Sequence, residues 1–408
     1  MRNSEADMTP QSPMQGEYDP TVPTRIVFGN EKIDSLKDEI QKLSGKRALV
    51  LSGRAVAEKT DSVRRINDVL GGMSAGTYSG LTQRAPLSTA VEAANMAIAC
   101  GVDTLVGVGG STISDASRMI AVLMAEGITT VEQLRGLGEK QDMMLSPDLD
   151  GKDLPLQVSI PTTLSAGEFN MGGGNVLDDR AGHKIRVHHS RLYADLIMLD
   201  PVMTEGTPDW LWLSTGVKAL DHCIERLYTA GNQPAIDAPI LAAAEILFTH
   251  LTDSRESDKN PEARLQCLIA AWMSMMGAPN FATGLSHAIG HILGVKYSVG
   301  HGYTSCVTQP YVMEFNRPVS AGKQALLARS AGLDTSGMSD EAAAEAAARA
   351  VDDFVLSMGM PHRIRELEIP EEDLPEIAQL VLTDGGCRNN PIPITSADQV
   401  MEVLKKAF

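Results

Sequence analysis

Over the first half of the chain, short continuous apolar runs alternate with stretches whose apolar residues recur at helical spacing. Thr24 to Phe28 reads as a short strand closing on Gly29, residues 31–43 as an amphipathic helix ended by Gly45, and Arg47 to Ser52 as a buried strand. A helix around 55–70, a strand-like segment from Gly76 to Ser79, a helix from Ser88 to Cys100 and a strand from Leu105 to Val108 follow. Gln157 to Ile160 and Leu196 to Leu199 add two more strands before the break at Asp200-Pro201. Strands alternating with helices predict βαβ units and a mostly parallel sheet, with ligands at the carboxyl ends of the strands. From Pro208 onward the periodicity is helical throughout: 208–229, 235–253, 261–277, 283–293, 303–316, 322–331, 340–358 and two more near the end. The expected organisation is a polar, flexible tail over 1–22, an α/β domain over 23–203 and an all-α domain over 204–408.

Bulk composition narrows the class of partner. The 408 residues are 43% hydrophobic and 21% charged, the balance of a soluble globular protein, and a length of this size suits two domains. The formal net charge of −17 opposes nonspecific binding to nucleic acid or to an anionic membrane surface, which leaves a small molecule as the expected partner. Cys100, Cys223, Cys267, Cys306 and Cys387 form no C-x-x-C pair, the pattern of reduced thiols in the cytoplasm. Neither a basic, then apolar, then small-residue leader nor a run of about 18 apolar residues occurs, so no secretion signal or membrane span is expected.

Two stretches carry candidate chemistry. In residues 284–302, a helix followed by a turn at Gly300 would put His287 and His291 four apart on one face and bring His301 in after the turn. His222 lies on a separate helical pattern whose apolar positions are Leu213, Val217, Leu220, Ile224 and Leu227. The second stretch, Gly109-Gly-Ser-Thr-Ile-Ser-Asp115-Ala-Ser-Arg118, follows a strand and opens a helix, so its backbone N–H groups suit a pyrophosphate; a purely structural tight turn is the competing reading.

The two histidine segments, Gly-x2-Ala-x2-His-x2-Glu and Gly-Leu-x-His-x3-His-x9-His-Gly, resemble the iron-containing alcohol dehydrogenase family. Further resemblances run from Phe28-Gly29 through Pro86, Leu199-Asp200-Pro201 and Pro310-Tyr311 to Asn390-Pro391, nearly the whole chain. The resemblance implies a Rossmann-like, dinucleotide-binding first domain, a helical catalytic second domain, dehydroquinate synthase-like architecture overall, and NADH or NADPH as cofactor. It places the cofactor against Gly109, Gly110, Ser111, Thr112 and Asp115, with Arg118 at the family's lysine, and against Thr162, Thr163 and Ser165 of Pro161-Thr-Thr-Leu-Ser-Ala-Gly-Glu168. Capping of a helix is the alternative role for the two threonines. The short spacing to Glu168 and the Trp-Leu-Ser-Thr-Gly entry to the His222 segment resemble the maleylacetate reductase branch. Family members that reject NADP carry an Asp after the first strand; Ser52-Gly53-Arg54 stand there, so NADPH is expected to be accepted at least as readily as NADH.

The family holds a divalent metal with an Asp and the His four residues after it, then with the first and third histidines of the later segment. The matching positions are Lys218, His222, His287 and His301, so only the three histidines remain as ligands if a divalent metal binds. A protonated lysine is no ligand and repels a cation. The catalytic set is therefore expected to be Lys218, His222, His287, His291 and His301, working without a tightly bound metal. A lysine swung to solvent beside a three-histidine metal site, and an inactive site, are the alternatives. Asp221, about 100° around the helix from His222, is expected to point elsewhere. His188 and His189 with Arg186 and Arg191 would suit an acidic substrate or form an exposed polar loop, and Asp178-Asp179 reads as solvated charge. The implied activity is reduction of a small acidic carbonyl compound or double bond. A general alcohol or aldehyde dehydrogenase is the alternative, and a dehydroquinate synthase-like lyase or a nonenzymatic paralogue are more remote ones. The expected assembly is a homodimer.

Overall fold

A computed structural model describes residues 24–408 apart from 83–84, 136–143, 146, 171, 179–183, 230, 256–259 and 278–282. The expected tail over 1–22 lies outside the described residues, as does Asp179. The strands are β1 (Arg25–Phe28), β2 (Ala48–Gly53), β3 (Ser74–Leu81), β4 (Thr104–Gly109), β5 (Met144–Leu145), β6 (Leu156–Pro161), β7 (Gly173–Leu177), β8 (Lys184–His188) and β9 (Leu196–Leu199). Six of them form a wholly parallel sheet in the order β1-β9-β6-β4-β2-β3. Parallel strands need cover on both faces, and alternation along β2 provides it: Leu49 and Leu51 pack into one apolar cluster, Ala48 and Val50 into another. The first cluster is closed by α4 (Leu87–Ala99) and α5 (Ser111–Glu126); the second by α1 (Leu36–Lys42) and α3 (Ser62–Leu70).

The chain leaves β2 for β3 on one side and then crosses to β4 on the other. That reversal puts the carboxyl ends of β2 and β4, at Gly53 and Gly109, beside a crevice of the kind where open α/β sheets take ligands. After β9 every described element is helical: α7 (Asp209–Tyr228), α8 (Pro234–His250), α9 (Pro261–Ser274), α10 (Leu285–Tyr297), α11 (His301–Ser330), α12 (Asp340–Ser357), α13 (Leu374–Val381), α14 (Gly386–Asn389) and α15 (Ala397–Ala407), with short 3-10 turns between them. One apolar cluster joins Leu164, Ile197 and Leu199 to Trp212, Leu220 and Ile224 of α7, so sheet and helices share a core. No helix among the described residues is long and apolar enough to cross a membrane.

Several elements differ from the sequence expectation. The helix over 55–70 divides into α2 (Arg54–Lys59) and α3, because Thr60 is extended and its hydroxyl turns back to the Val56 carbonyl. Residues 32–35 form a 3-10 turn before α1. The separate helices over 303–316 and 322–331 are one helix, α11, running through Pro310 and Pro318. Packing against α7 and α12 outweighs the cost of about 3 kcal/mol per interior proline. A three-stranded sheet, β5-β8-β7, was not predicted, since Gly173-Gly174-Asn175 gives no alternating pattern. Nor is Asp178 solvated: its side chain is 3% exposed and takes a two-pronged ion pair from Arg135 of α6 (Val131–Arg135), Nε to Oδ2 at 2.8 Å and Nη2 to Oδ1 at 2.5 Å.

Candidate active site

Helix α7 is buried on nearly every face from Trp212 to Tyr228, so its polar residues must find partners inside the protein. Glu225 finds them at the start of α10. Its carboxylate accepts from Gly284 N at 2.6 Å and Ser286 N at 2.7 Å, and the helix N-terminus favours the negative charge. Gly284 permits this approach, since a Cβ there would lie 3.0 Å from Glu225 Oε1. The same carboxylate lies 2.6 Å from His287 Nδ1. A carboxylate only accepts, so Nδ1 donates, and Nε2 is left as the free nitrogen of a buried ring.

From His287 the rings form a chain. His222 stacks on it with centroids 5.2 Å apart, His291 stands edge-on at 6.3 Å one turn along α10, and His301, the first residue of α11, is 5.8 Å beyond His291. The four predicted histidines therefore do converge. His291 is the most open of those on α7 and α10, its side chain 41% exposed, and its Nδ1 lies 2.8 Å from Asp384 Oδ2. Burial, then the neighbouring His287, Arg226 and Lys218 charges, push His222 well below the ordinary imidazole value. Burial also lowers His291, against the opposing pull of Asp384.

Lys218 lies one turn before His222, with its Nζ 3.1 Å from Asp221 Oδ2. Asp221 was expected to point away, but residues three apart share a helix face, and the long lysine stem reaches across it. The carboxylate also accepts from Ser305 Oγ at 2.5 Å and is 3.5 Å from His287 Nδ1. Burial alone would raise the Asp221 pKa; the Lys218 ammonium, His287 and the Ser305 hydroxyl together hold it below the usual carboxylate range.

Among the described residues the side chains grouped like metal ligands are partly engaged elsewhere, while the buried His222 Nδ1 and His287 Nε2 have no hydrogen-bond partner. Asp221, Glu225 and His287 bring three ligand atoms within 4.8 Å of one another. Yet both Glu225 oxygens already accept from α10, and Asp221 Oδ2 accepts from Lys218 and Ser305. A fixed ammonium 3.1 Å from that carboxylate repels an incoming cation at the same place.

The crevice at β2 and β4 fits a nucleotide. Gly109 has φ +152°, and a Cβ on Gly110 would lie 2.8 Å from Thr163 Oγ1, so neither position accepts a side chain without displacement. Thr162 N donates to Gly109 O at 3.1 Å, and Ser111 N, in the first turn of α5, donates to Ser165 Oγ at 3.2 Å, which is itself 3.1 Å from Thr163 Oγ1. The two threonines thus cap no helix; they lock two strand-end loops side by side. Ser52 is fully buried, which leaves Gly53 and the exposed Arg54 at the open edge beside this turn. Thr112 lies in the first turn of α5 and Asp115 in the second.

Arg118 is 2% exposed and donates to the carbonyls of Gly167, Glu168, Asn170, Gly173 and Leu192, so it builds the loop after β6 from within. Beside it, burial pushes the Glu168 carboxyl up to about 7. The loop is tied to the helical wall: Leu164 N donates to Thr215 Oγ1 at 3.1 Å, one turn before Lys218.

Glu225, Ser305 and Asp384 were not foreseen. Glu225 sits in the recognised histidine pattern, but its partners are some sixty residues away, and no local signal marks Asp384, 93 residues from His291.

Residues 23–201 match the family described as iron-containing alcohol dehydrogenase, and residues 212–408 match the C-terminal part of the same family. Dehydrogenase ALT3 of Alternaria alternata is 28% identical, covering 88% of this chain and 98% of its own. Lactaldehyde reductase of Escherichia coli K12 is 27% identical, over 93% of this chain and 97% of its own. The crystal structure of maleylacetate reductase from Rhizobium sp. strain MTP-10005 superposes with a TM-score of 0.78 over 97% of this chain and 98% of that one, at 23% identity.

Proposed function

The chain belongs to the iron-containing alcohol dehydrogenase family and is an oxidoreductase, and from that premise we propose that it reduces a small acidic carbonyl compound with NAD(P)H, in the manner of a maleylacetate reductase, without a catalytic metal. The observation that carries this reading is Lys218, a buried cation one turn before His222 and paired with Asp221, where family members place a metal-binding carboxylate. Exchange of a negative for a positive charge turns the local field in favour of an anionic substrate and a developing oxyanion.

When bound, the reduced nicotinamide supplies the hydride. The Thr162 to Ser165 loop and the Gly109-Gly110 turn hold its nucleotide, and the Leu164 to Thr215 tie sets the distance from that turn to Lys218. Lys218 donates to the carbonyl oxygen as it gains the electron pair, while Asp221, itself held by the Ser305 hydroxyl, orients the ammonium from behind. His291, open on one side and held by Asp384, carries the proton that the oxygen takes up. His287, fixed by Glu225, and His222, kept neutral by burial, form the wall that excludes water.

Steady-state oxidation of NADPH and NADH with matched keto acids and neutral aldehydes tests the reading; equal use of both substrate kinds would favour the general aldehyde reductase instead. Elemental analysis of purified protein should find iron and zinc well below one per chain, with turnover unaffected by chelator. Stoichiometric metal whose removal stops turnover would overturn the metal-free site. Lys218→Asp should create metal binding, visible by calorimetry, since it restores the missing ligand and removes the repulsion.

The nucleotide preference has its own test. Gly53 has extended backbone, and a Cβ there would meet only the Leu81 carbonyl, at 3.3 Å, so a side chain enters if that carbonyl shifts slightly. Gly53→Asp should shift preference from NADPH toward NADH by about tenfold, or ~1.4 kcal/mol, through repulsion of the 2′-phosphate. Strict NADH use by the unaltered enzyme would refute the premise.

A further inference from the structure

The small sheet has one buried face and one open face. Ile185 and Val187 of β8 and Val176 of β7 point into the apolar cluster under α5. Arg186 lies between two of these buried positions, so its side chain leaves from the opposite face, and it is exposed. Its cross-strand partner is Asn175, whose Nδ2 donates to Asp115 Oδ2 at 3.4 Å in the second turn of α5. Arg186 therefore stands beside the cofactor turn. Asp384 is the residue that holds His291. Burial alone would raise the Asp384 carboxyl; the His291 bond and charge, the Gly386 N–H and the Arg186 charge bring it down to about 2. The guanidinium is thus close enough to act on the group that positions the open histidine.

Among the described residues Arg186 has no hydrogen-bond or ion-pair partner, whereas the neighbouring Arg191 is committed to the Leu149 and Lys152 carbonyls. A guanidinium offers paired donors that match a carboxylate. We propose that Arg186 is the anchor for the carboxylate of the substrate, holding an acid between the cofactor turn and the His291 side of the helical wall with its carbonyl group toward Lys218. This assignment rests on the acidic-substrate reading above and adds the residue that enforces it. A carboxylate at Arg186 fixes one end of the molecule, and the reacting carbon is then set by chain length. Selectivity should accordingly depend on the spacing between the two groups.

The test compares succinic semialdehyde with butanal, aldehydes of equal chain length with and without a terminal carboxylate, in the full-length enzyme and in Arg186→Ala, Arg186→Lys and Arg186→Glu. The expected result is a fall of tenfold or more in the ratio of kcat/KM for acid over neutral aldehyde in Arg186→Ala, expressed mainly as a higher KM for the acid. Arg186→Lys should recover part of the ratio and Arg186→Glu should lower it further. A merely structural role would lower both substrates together and leave the ratio in place, which would overturn the anchor. If the unaltered enzyme shows no preference for the acid, the acidic-substrate reading fails first and the anchor with it; a strong preference that survives Arg186→Ala overturns the anchor alone.

Discussion

Lys218→Met is expected to lower kcat by about two to three orders of magnitude, the loss seen when one preorganised donor is removed from a developing oxyanion. Methionine keeps the length of the stem and removes only the charge and the donors, so the packing of α7 is preserved. The same substitution should destabilise the fold. Asp221 is fully buried and keeps only the Ser305 hydroxyl and the more distant His287 once the ammonium is gone. An uncompensated buried charge of this kind costs about 3–5 kcal/mol. Urea denaturation measures the second effect, and pre-steady-state NADPH oxidation the first. Lys218→Met/Asp221→Asn should recover most of the stability and none of the rate. A rate that returned with the stability would mean that Lys218 only solves a burial problem.

Gly110→Val is expected to weaken NADPH binding by at least about a hundredfold, or ~2.7 kcal/mol, with the fold intact. The added atoms meet the protein before any nucleotide: a Cβ at Gly110 lies 2.8 Å from Thr163 Oγ1 and 3.3 Å from its Cγ2. Thr163 has to move, its contact with Ser165 breaks, and the hold of Ser165 on the first N–H of α5 goes with it. Fluorescence titration with NADPH reads the loss, and circular dichroism checks that the sheet remains. Normal quenching of NADPH fluorescence by a folded Gly110→Val protein would remove the phosphate site from the turn.

What was legible in the sequence is what is local. The parallel sheet followed from strand-length apolar runs between helical stretches, and the histidine cluster from an i, i+4 pair close to a third ring. Continuity of α11 was hidden because Pro310 and Pro318 are local breakers, while the contacts that outweigh them come from α7 and α12. β7 was hidden because two glycines and an asparagine carry no period-2 signal. In the site, Lys218 stood out by resemblance, but its partner Asp221 was misjudged. The angle between adjacent helix positions is a statement about Cβ directions, and a four-carbon stem terminating in an ammonium crosses that angle easily. The roles of Glu225 and Asp384 depend on chain closure over roughly sixty and ninety residues, which no window of sequence contains.

Arg118 bears on the order in which the enzyme comes into being. Its donors end on carbonyls between residues 167 and 192, 49 to 74 positions further along the chain, and none of those bonds exists while α5 alone is formed. Until then the strand-to-helix turn has its glycines but not the loop that faces them. Competence to bind nucleotide is therefore a late event, reached only when long-range closure around one guanidinium is complete, and a chain halted before Leu192 would have strands and helices of the first layer without a cofactor site.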